Sequence, residues 1–206
     1  MRIKETIEVK QNLKLTMRER GKIVAKREGH NIWLDLGREY LAQLISYSLL
    51  APLTPVRNDR IRYMGLGIGG NRQLIPSIAN VVPFSTAYPG ANSQTDSDAT
   101  VTTLERPVRL AGGVSVPPYV VTDTWLGQVQ APPDFGSATQ VTYKRLFTQL
   151  EISYNPYLSV PLSEVMLFTN AAAANVYNNT GVAYDTFDTL SKTNAFELEI
   201  DWTIKF

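Results

Sequence analysis

The sequence predicts a mainly β chain, a β-sandwich or jelly-roll-like fold with one amphipathic helix at about residues 32–50 and a long proline-rich insertion at 71–118. Three observations lead there. Residues 195–206 alternate without a break: Phe196, Leu198, Ile200, Trp202, Ile204 and Phe206 interleave with Ala195, Glu197, Glu199, Asp201, Thr203 and Lys205. Strict alternation specifies a strand with one buried and one wet face. The first thirty residues repeat the same period, and short apolar runs elsewhere are punctuated by proline and glycine, the pattern of many short strands.

In chain order, Ile7, Val9, Leu13, Leu15 and Met17 keep a period of two. Arg18-Glu19-Arg20-Gly21-Lys22 reads as a turn, and Ile23-Val24-Ala25 runs back. Gly21 suits the positive φ a tight hairpin needs. The hairpin's cations belong on its wet face or tip. Next, Trp33, Leu34, Leu41, Leu44, Ile45 and Leu49 fall on one helical arc, with Asn31 as N-cap and Pro52 and Pro55 as terminators. Ile61 to Ile68 reads as a strand entering a glycine-rich turn. From 71 to 118 the periodicity dissolves into Ser, Thr, Asn, Ala and six prolines, an extended arm or insertion with short pieces such as Val101–Leu104 and Val108–Leu110 available for pairing. Tyr119–Val129, Gln140–Tyr154 and Glu164–Thr169 are further strands, separated by Pro132–Gly136 and by Pro156 and Pro161. The alternating terminal strand, in phase to Phe206, makes the C-terminus part of the core sheet. The whole reads as one domain, residues 1–206.

Composition narrows the chemistry. The 206 residues include no cysteine and one histidine, which removes thiolate nucleophiles, disulfides and Cys-based metal sites and leaves almost nothing for His-based ones. No apolar run approaches the roughly 20 residues of a membrane span, and MRIKETIEVK lacks a signal-peptide core. Net charge is +1, so no global field favours nucleic acid or an anionic membrane. The charge is nevertheless polarised. Residues 1–30 carry +5, residues 31–139 carry −1 and residues 140–206 carry −3. A basic head and an acidic tail suggest surfaces that mate within the chain or between copies.

Candidate sites fail one by one as chemistry. Gly65-Leu66-Gly67-Ile68-Gly69-Gly70 matches GxGxxG, but a dinucleotide site needs a helix at the last glycine and a βαβ unit. Pro76 and the β-rich surroundings oppose both, so the glycines mark a bend or a close backbone approach. His30 lacks a serine on a G-x-S-x-G elbow and suits a turn or cap. Glu197, Glu199 and Asp201 share a strand face and could act as acid and base or hold a hard cation; equally they serve solubility, or partner the basic hairpin. Asp96-Ser97-Asp98 lacks the glycine and distal glutamate of a calcium loop, and the Asn178-Asn179-Thr180 sequon has no secretory context. Tyr154, Tyr157 and Tyr177 near loops could stack on sugar. No catalytic residue, cofactor or metal is expected. The expected working surface is an assembly interface built from Arg18, Arg20, Lys22, Arg106, Arg109, Glu197, Glu199 and Asp201.

The order of features resembles a group of small virion structural proteins of tailed bacteriophages. The resemblance rests on the helix Leu34–Leu50, the strand Ile61-Arg62-Tyr63-Met64 entering Gly65-Leu66-Gly67, the strand Leu162–Phe168, and Tyr184–Thr193 leading into the alternating strand. It covers about residues 31–70 and 162–206; the basic hairpin and the 71–118 insertion have no counterpart in it. It implies a non-enzymatic β-sandwich protein of the virion, made in the bacterial cytoplasm. Such a protein would be a capsid decoration (cement) or head–tail neck accessory, partnered by itself and by capsid, neck or tail proteins. A proline-pinned arm would lose little entropy on docking. A tail-fibre or baseplate module that binds a receptor glycan or adapts fibres to the tail is the alternative. A small hydrolase relying on carboxylates and His30 is the weakest reading.

Overall fold

The structure, a computed structural model, describes residues 10–29, 32–33, 37–38, 61–69, 104, 107–110, 126–130, 133–137, 139–153, 159–169 and 181–205. The predicted hairpin forms from β1 (Lys10–Glu19) and β2 (Lys22–Gly29). Its two-residue turn puts both Arg20 and Gly21 at positive φ, 49° and 80°, the mirror-image turn whose twist matches that of the strands it joins. A bulge follows at once: Ala25 stands opposite Met17 and Ile23 opposite Arg18, leaving Val24 as the extra residue.

Eight more strands complete two five-stranded sheets: β3 (Ile32–Trp33), β4 (Tyr63–Gly67), β5 (Leu126–Gln128), β6 (Asp134–Ser137), β7 (Gln140–Phe147), β8 (Val160–Phe168), β9 (Gly181–Lys192) and β10 (Phe196–Lys205). The first sheet runs β2-β1-β10-β7-β6 and the second β3-β9-β8-β4-β5. Every named pairing is antiparallel. The chain passes from one sheet to the other after β2, β5, β7 and β9.

The terminal alternation does what its pattern requires. Leu198, Ile200, Trp202 and Ile204 are buried, while Glu197, Glu199, Asp201 and Thr203 stay partly exposed. Strand β10 lies between β1 and β7, so Leu13 and Tyr143 flank Trp202 while Met17 and Phe147 flank Leu198. These side chains join Met64, Leu66, Val165, Leu167 and Val182 of the second sheet in one apolar cluster. Trp202 is fully buried and its indole Nε1–H donates to Gln11 Oε1 at 2.9 Å, so the ring brings no orphaned donor into the core.

Several sequence expectations need correction. Ile32 and Trp33 do not open a helix; they pair with Tyr184 and Ala183 of β9. Gly37 and Arg38 are helical, and the rest of the expected 32–50 helix lies outside the described residues. Strand β7 stops at Phe147 instead of reaching Tyr154, because residues 148–152 turn. There the Glu151 carboxylate accepts the Thr148 N–H and the Arg145 guanidinium, and Ile152 takes a positive φ of 54°. The expected spacer 132–136 contributes most of edge strand β6. Pro161 lies inside β8, where β9 is paired to it but β4 reaches only Glu164–Phe168; its missing N–H is needed on one side at most. Strand β9 was not anticipated as a strand at all. Of the 71–118 stretch, Leu104 and Pro107–Leu110 are described. Leu104, Val108 and Leu110 are buried, and Val108 N–H donates to the Leu66 carbonyl at 2.8 Å. The rest of that stretch lies outside the described residues.

The corner between β9 and β10 is closed by a buried cation. Lys192 has no solvent exposure, and its ammonium donates to the carbonyls of Thr148, Glu151 and Thr193 at 3.0, 3.0 and 3.1 Å. All three of its N–H bonds are used, which is what lets a lysine lie in the interior. Burial lowers its pKa from 10.5 to about 8, against the upward pull of Glu151 and Glu197.

Two outcomes follow. Trp202→Ala removes the largest side chain of the core and the indole donor to Gln11 Oε1, and is expected to cost about 3–5 kcal/mol in urea unfolding; a loss under 1 kcal/mol would contradict this packing. The unfolded chain holds the Lys192 proton more tightly than the native one, so the cost of this ammonium is full below about pH 8 and fades as pH rises to 10.5. Wild type is therefore expected to gain stability relative to Lys192→Met across that window, measured by denaturation midpoints at several pH values.

Candidate assembly surface

Because β1 and β10 alternate, the side chains not spent on the core stand together on the outer face of the first sheet. Register aligns them in rows. Arg18 lies opposite Glu197, Thr16 opposite Glu199, and Lys14 opposite Asp201. Glu28 of β2 continues the Lys14 row on one side and Lys144 of β7 on the other. The row thus reads Glu28, Lys14, Asp201, Lys144, alternating in sign across four strands. Above it opens a polar concavity of about 540 Å³ lined by these four with Asn12, Thr142 and Thr203; the two threonine hydroxyls share a 2.9 Å hydrogen bond.

Part of the charge complementarity is consumed inside the chain. Arg18 donates from Nε and Nη2 to Glu199 Oε2 at 3.3 and 3.1 Å, with both side chains about one-third exposed, 34% and 36%. An ion pair at that exposure is worth about 0.2–1 kcal/mol. It registers the hairpin on β10 more than it stabilises the fold. The three carboxylates of β10 are therefore a poor catalytic set: Glu199 holds Arg18, Asp201 has lysines on both sides, and Glu197 acts on Lys192.

Of the expected interface residues, Arg18, Glu197, Glu199 and Asp201 converge on this face. Arg20 and Lys22 are exposed at the hairpin tip. Arg109 does not join them. It sits half-buried between buried Val108 and Leu110, on the segment that bonds to β4 of the other sheet. Arg106 lies outside the described residues, as do His30, Asp96–Asp98, Asn178–Thr180 and Tyr154, Tyr157 and Tyr177. Lys14, Lys144 and Glu28 were missed as partners in the row. Their in-phase positions were visible, but only strand pairing sets them beside Asp201.

The glycine segment has a different use from phosphate binding. Gly65 and Gly67 belong to β4, between β8 and β5. The Gly69 N–H donates at 2.9 Å to Oε1 of Glu164, a fully buried carboxylate whose Oε2 takes the Tyr184 hydroxyl at 3.1 Å. A buried carboxylate on the amide that a phosphate would need repels that ligand. Among the described residues, no group of three or more His, Asp or Glu is placed to hold a metal ion.

No protein-family profile, curated protein or solved structure matches the chain.

The Asp201 carboxyl is held above its ordinary 3.8, first by burial and next by Glu199, with Lys144, Lys14 and Arg18 pulling it down. A raised native pKa weakens the fold as pH rises past 3.8 and does nothing below it. Asp201→Asn is expected to gain on wild type between pH 3 and pH 7 in dilute denaturation experiments; an offset equal at both pH values would contradict this environment.

Proposed function

We propose that the chain is a non-enzymatic structural protein of a tailed-bacteriophage virion, a β-sandwich that works by self-association and multivalent contacts as a capsid decoration or head–tail neck accessory. The observation that carries this reading is the outer face of the first sheet. It presents ordered, alternating charge on a rigid scaffold, beside the exposed apolar side chains Ile23, Val24 and Leu146. Such a face offers what a repeated interface needs, polar pairs for register and apolar contact for adhesion. Two antiparallel sheets sharing one apolar cluster are consistent with a sandwich. The phage reading itself rests on the sequence resemblance over about residues 31–70 and 162–206. The partners are the chain itself and neighbouring capsid, neck or tail proteins, and the location is the particle.

Quantitative mass spectrometry of purified particles of the phage that encodes the chain tests this directly. The expected result is a fixed copy number related to capsid or tail symmetry. Particles that lack the chain, from cells that express it, would overturn the reading.

A further inference from the structure

We propose that the outer face of the first sheet is a self-complementary interface, on which a second copy of the chain docks about a twofold axis running along the strands between β1 and β10. This rests on the self-association reading above and says which surface performs it.

The argument is one of order. A twofold axis along the strands keeps each row at its own height and reverses its sequence. The row Glu28, Lys14, Asp201, Lys144 then meets its own reverse. Glu28 faces the second copy's Lys144 and Lys14 faces its Asp201, and both contacts occur twice. All four facing pairs are opposite in sign. Two rows along, Arg18 faces the second copy's Glu197, again opposite in sign. An axis between β1 and β10 is the one that yields this; centring it on either strand would set Lys14 or Asp201 against its own copy.

Two further observations agree. Asp201 is partly exposed on this face, between the two lysines that flank it in register. Lys14, directly opposite it in register, is exposed, and no ion pair or hydrogen bond joins the two. Lys14 is thus open to the second copy's Asp201, and the concavity of about 540 Å³ over the row leaves room for the long lysine side chains of both copies. Leu146, exposed on the same face, would come against the second copy's Lys26, whose methylenes can cover it. Four strands about 4.8 Å apart and eight to ten residues long outline a face of roughly 20 by 30 Å, about 600 Å² per copy. The total of about 1,200 Å² lies at the lower end of specific interfaces. The expected complex is a modest, salt-sensitive dimer, with sheets packed in the aligned manner.

The test uses the full chain in sedimentation velocity and light scattering, at about 0.05 M and about 1 M salt. Wild type is expected to dimerise at low salt and dissociate at high salt. Lys14→Glu sets two carboxylate pairs face to face, and Asp201→Lys sets two ammonium pairs face to face, so each variant alone is expected to weaken the dimer at least about tenfold. An equimolar mixture of the two restores all four opposite-sign contacts in the heterodimer and is expected to associate. Circular dichroism confirms that each variant is folded; should one fail, Glu28→Lys and Lys144→Glu form a second reciprocal pair with the same logic. A wild type that stays monomeric, variants that dimerise like wild type, or folded variants whose mixture stays monomeric would each overturn the interface. If particles contain the chain while the variants assemble unaltered, the virion reading stands and this surface falls.

Discussion

Strand β10 must satisfy two neighbours and two environments at once, and the rest of the structure is arranged around that demand. Its pairing with β1 on one edge and β7 on the other fixes the register of three strands together. Since the side-chain period is two, a slip of one residue would turn Leu198, Ile200, Trp202 and Ile204 to solvent and drive Glu197, Glu199 and Asp201 inward. Burying three carboxylates would cost several kcal/mol each. The alternation therefore acts as a clamp. It also decides the outer face, because whatever β1 and β7 carry in the opposite phase must stand beside the acids of β10.

The two sheets are held together by groups at the rim as well as by the shared core. Arg145 projects from β7 and donates to the Gln128 carbonyl of β5 in the other sheet at 3.0 Å, with its guanidinium 5.3 Å from the Phe147 ring centre. Gly127 makes this possible, since a Cβ there would lie 2.8 Å from Arg145 Nε. Lys192 does the equivalent work at the β9–β10 corner, tying the turn after β7 to the corner itself. At the far end of the hairpin, Gly29 admits Asp185 of β9, whose Oδ2 would be 2.0 Å from any Cβ. The Arg145 and Lys192 hydrogen bonds and the close approach at Gly29 fix how one sheet sits on the other, where apolar packing alone would tolerate sliding.

What could be read in the sequence follows from how far each signal is local. The β1–β2 hairpin and β10 were legible because a period of two and a turn glycine are properties of neighbours in sequence. Strand β9 was not, because Asp185 and Lys192 are buried in it and break the apolar pattern; their burial is made possible by groups distant in the chain. The end of β7 at Phe147 depended on Glu151 reaching back to Thr148 and Arg145, which leaves no trace in hydropathy. Pro161 reads as punctuation in the sequence, yet an edge-like position of β8 accepts it. The same division holds for the surface. Arg18 and the β10 acids stood out by charge, whereas Lys14, Lys144 and Glu28 acquired meaning only through strand register.

The union of β1 with β10 has a consequence for how the chain comes to be folded. Arg18 and Glu199 are 181 residues apart in sequence, and Gln11 and Trp202 are 191 apart. Contacts of such separation place the molecule among slow-folding topologies. During synthesis at about 5–20 residues per second, β1 must wait roughly 10–40 s for its neighbour to leave the ribosome. Through that interval Leu13, Leu15 and Met17 lie on a hairpin whose inner edge is open. Lys10, Lys14 and Arg18 along β1, and the extra twist from the bulge at Val24, are features that discourage such an edge from pairing with another nascent copy before its own last strand arrives.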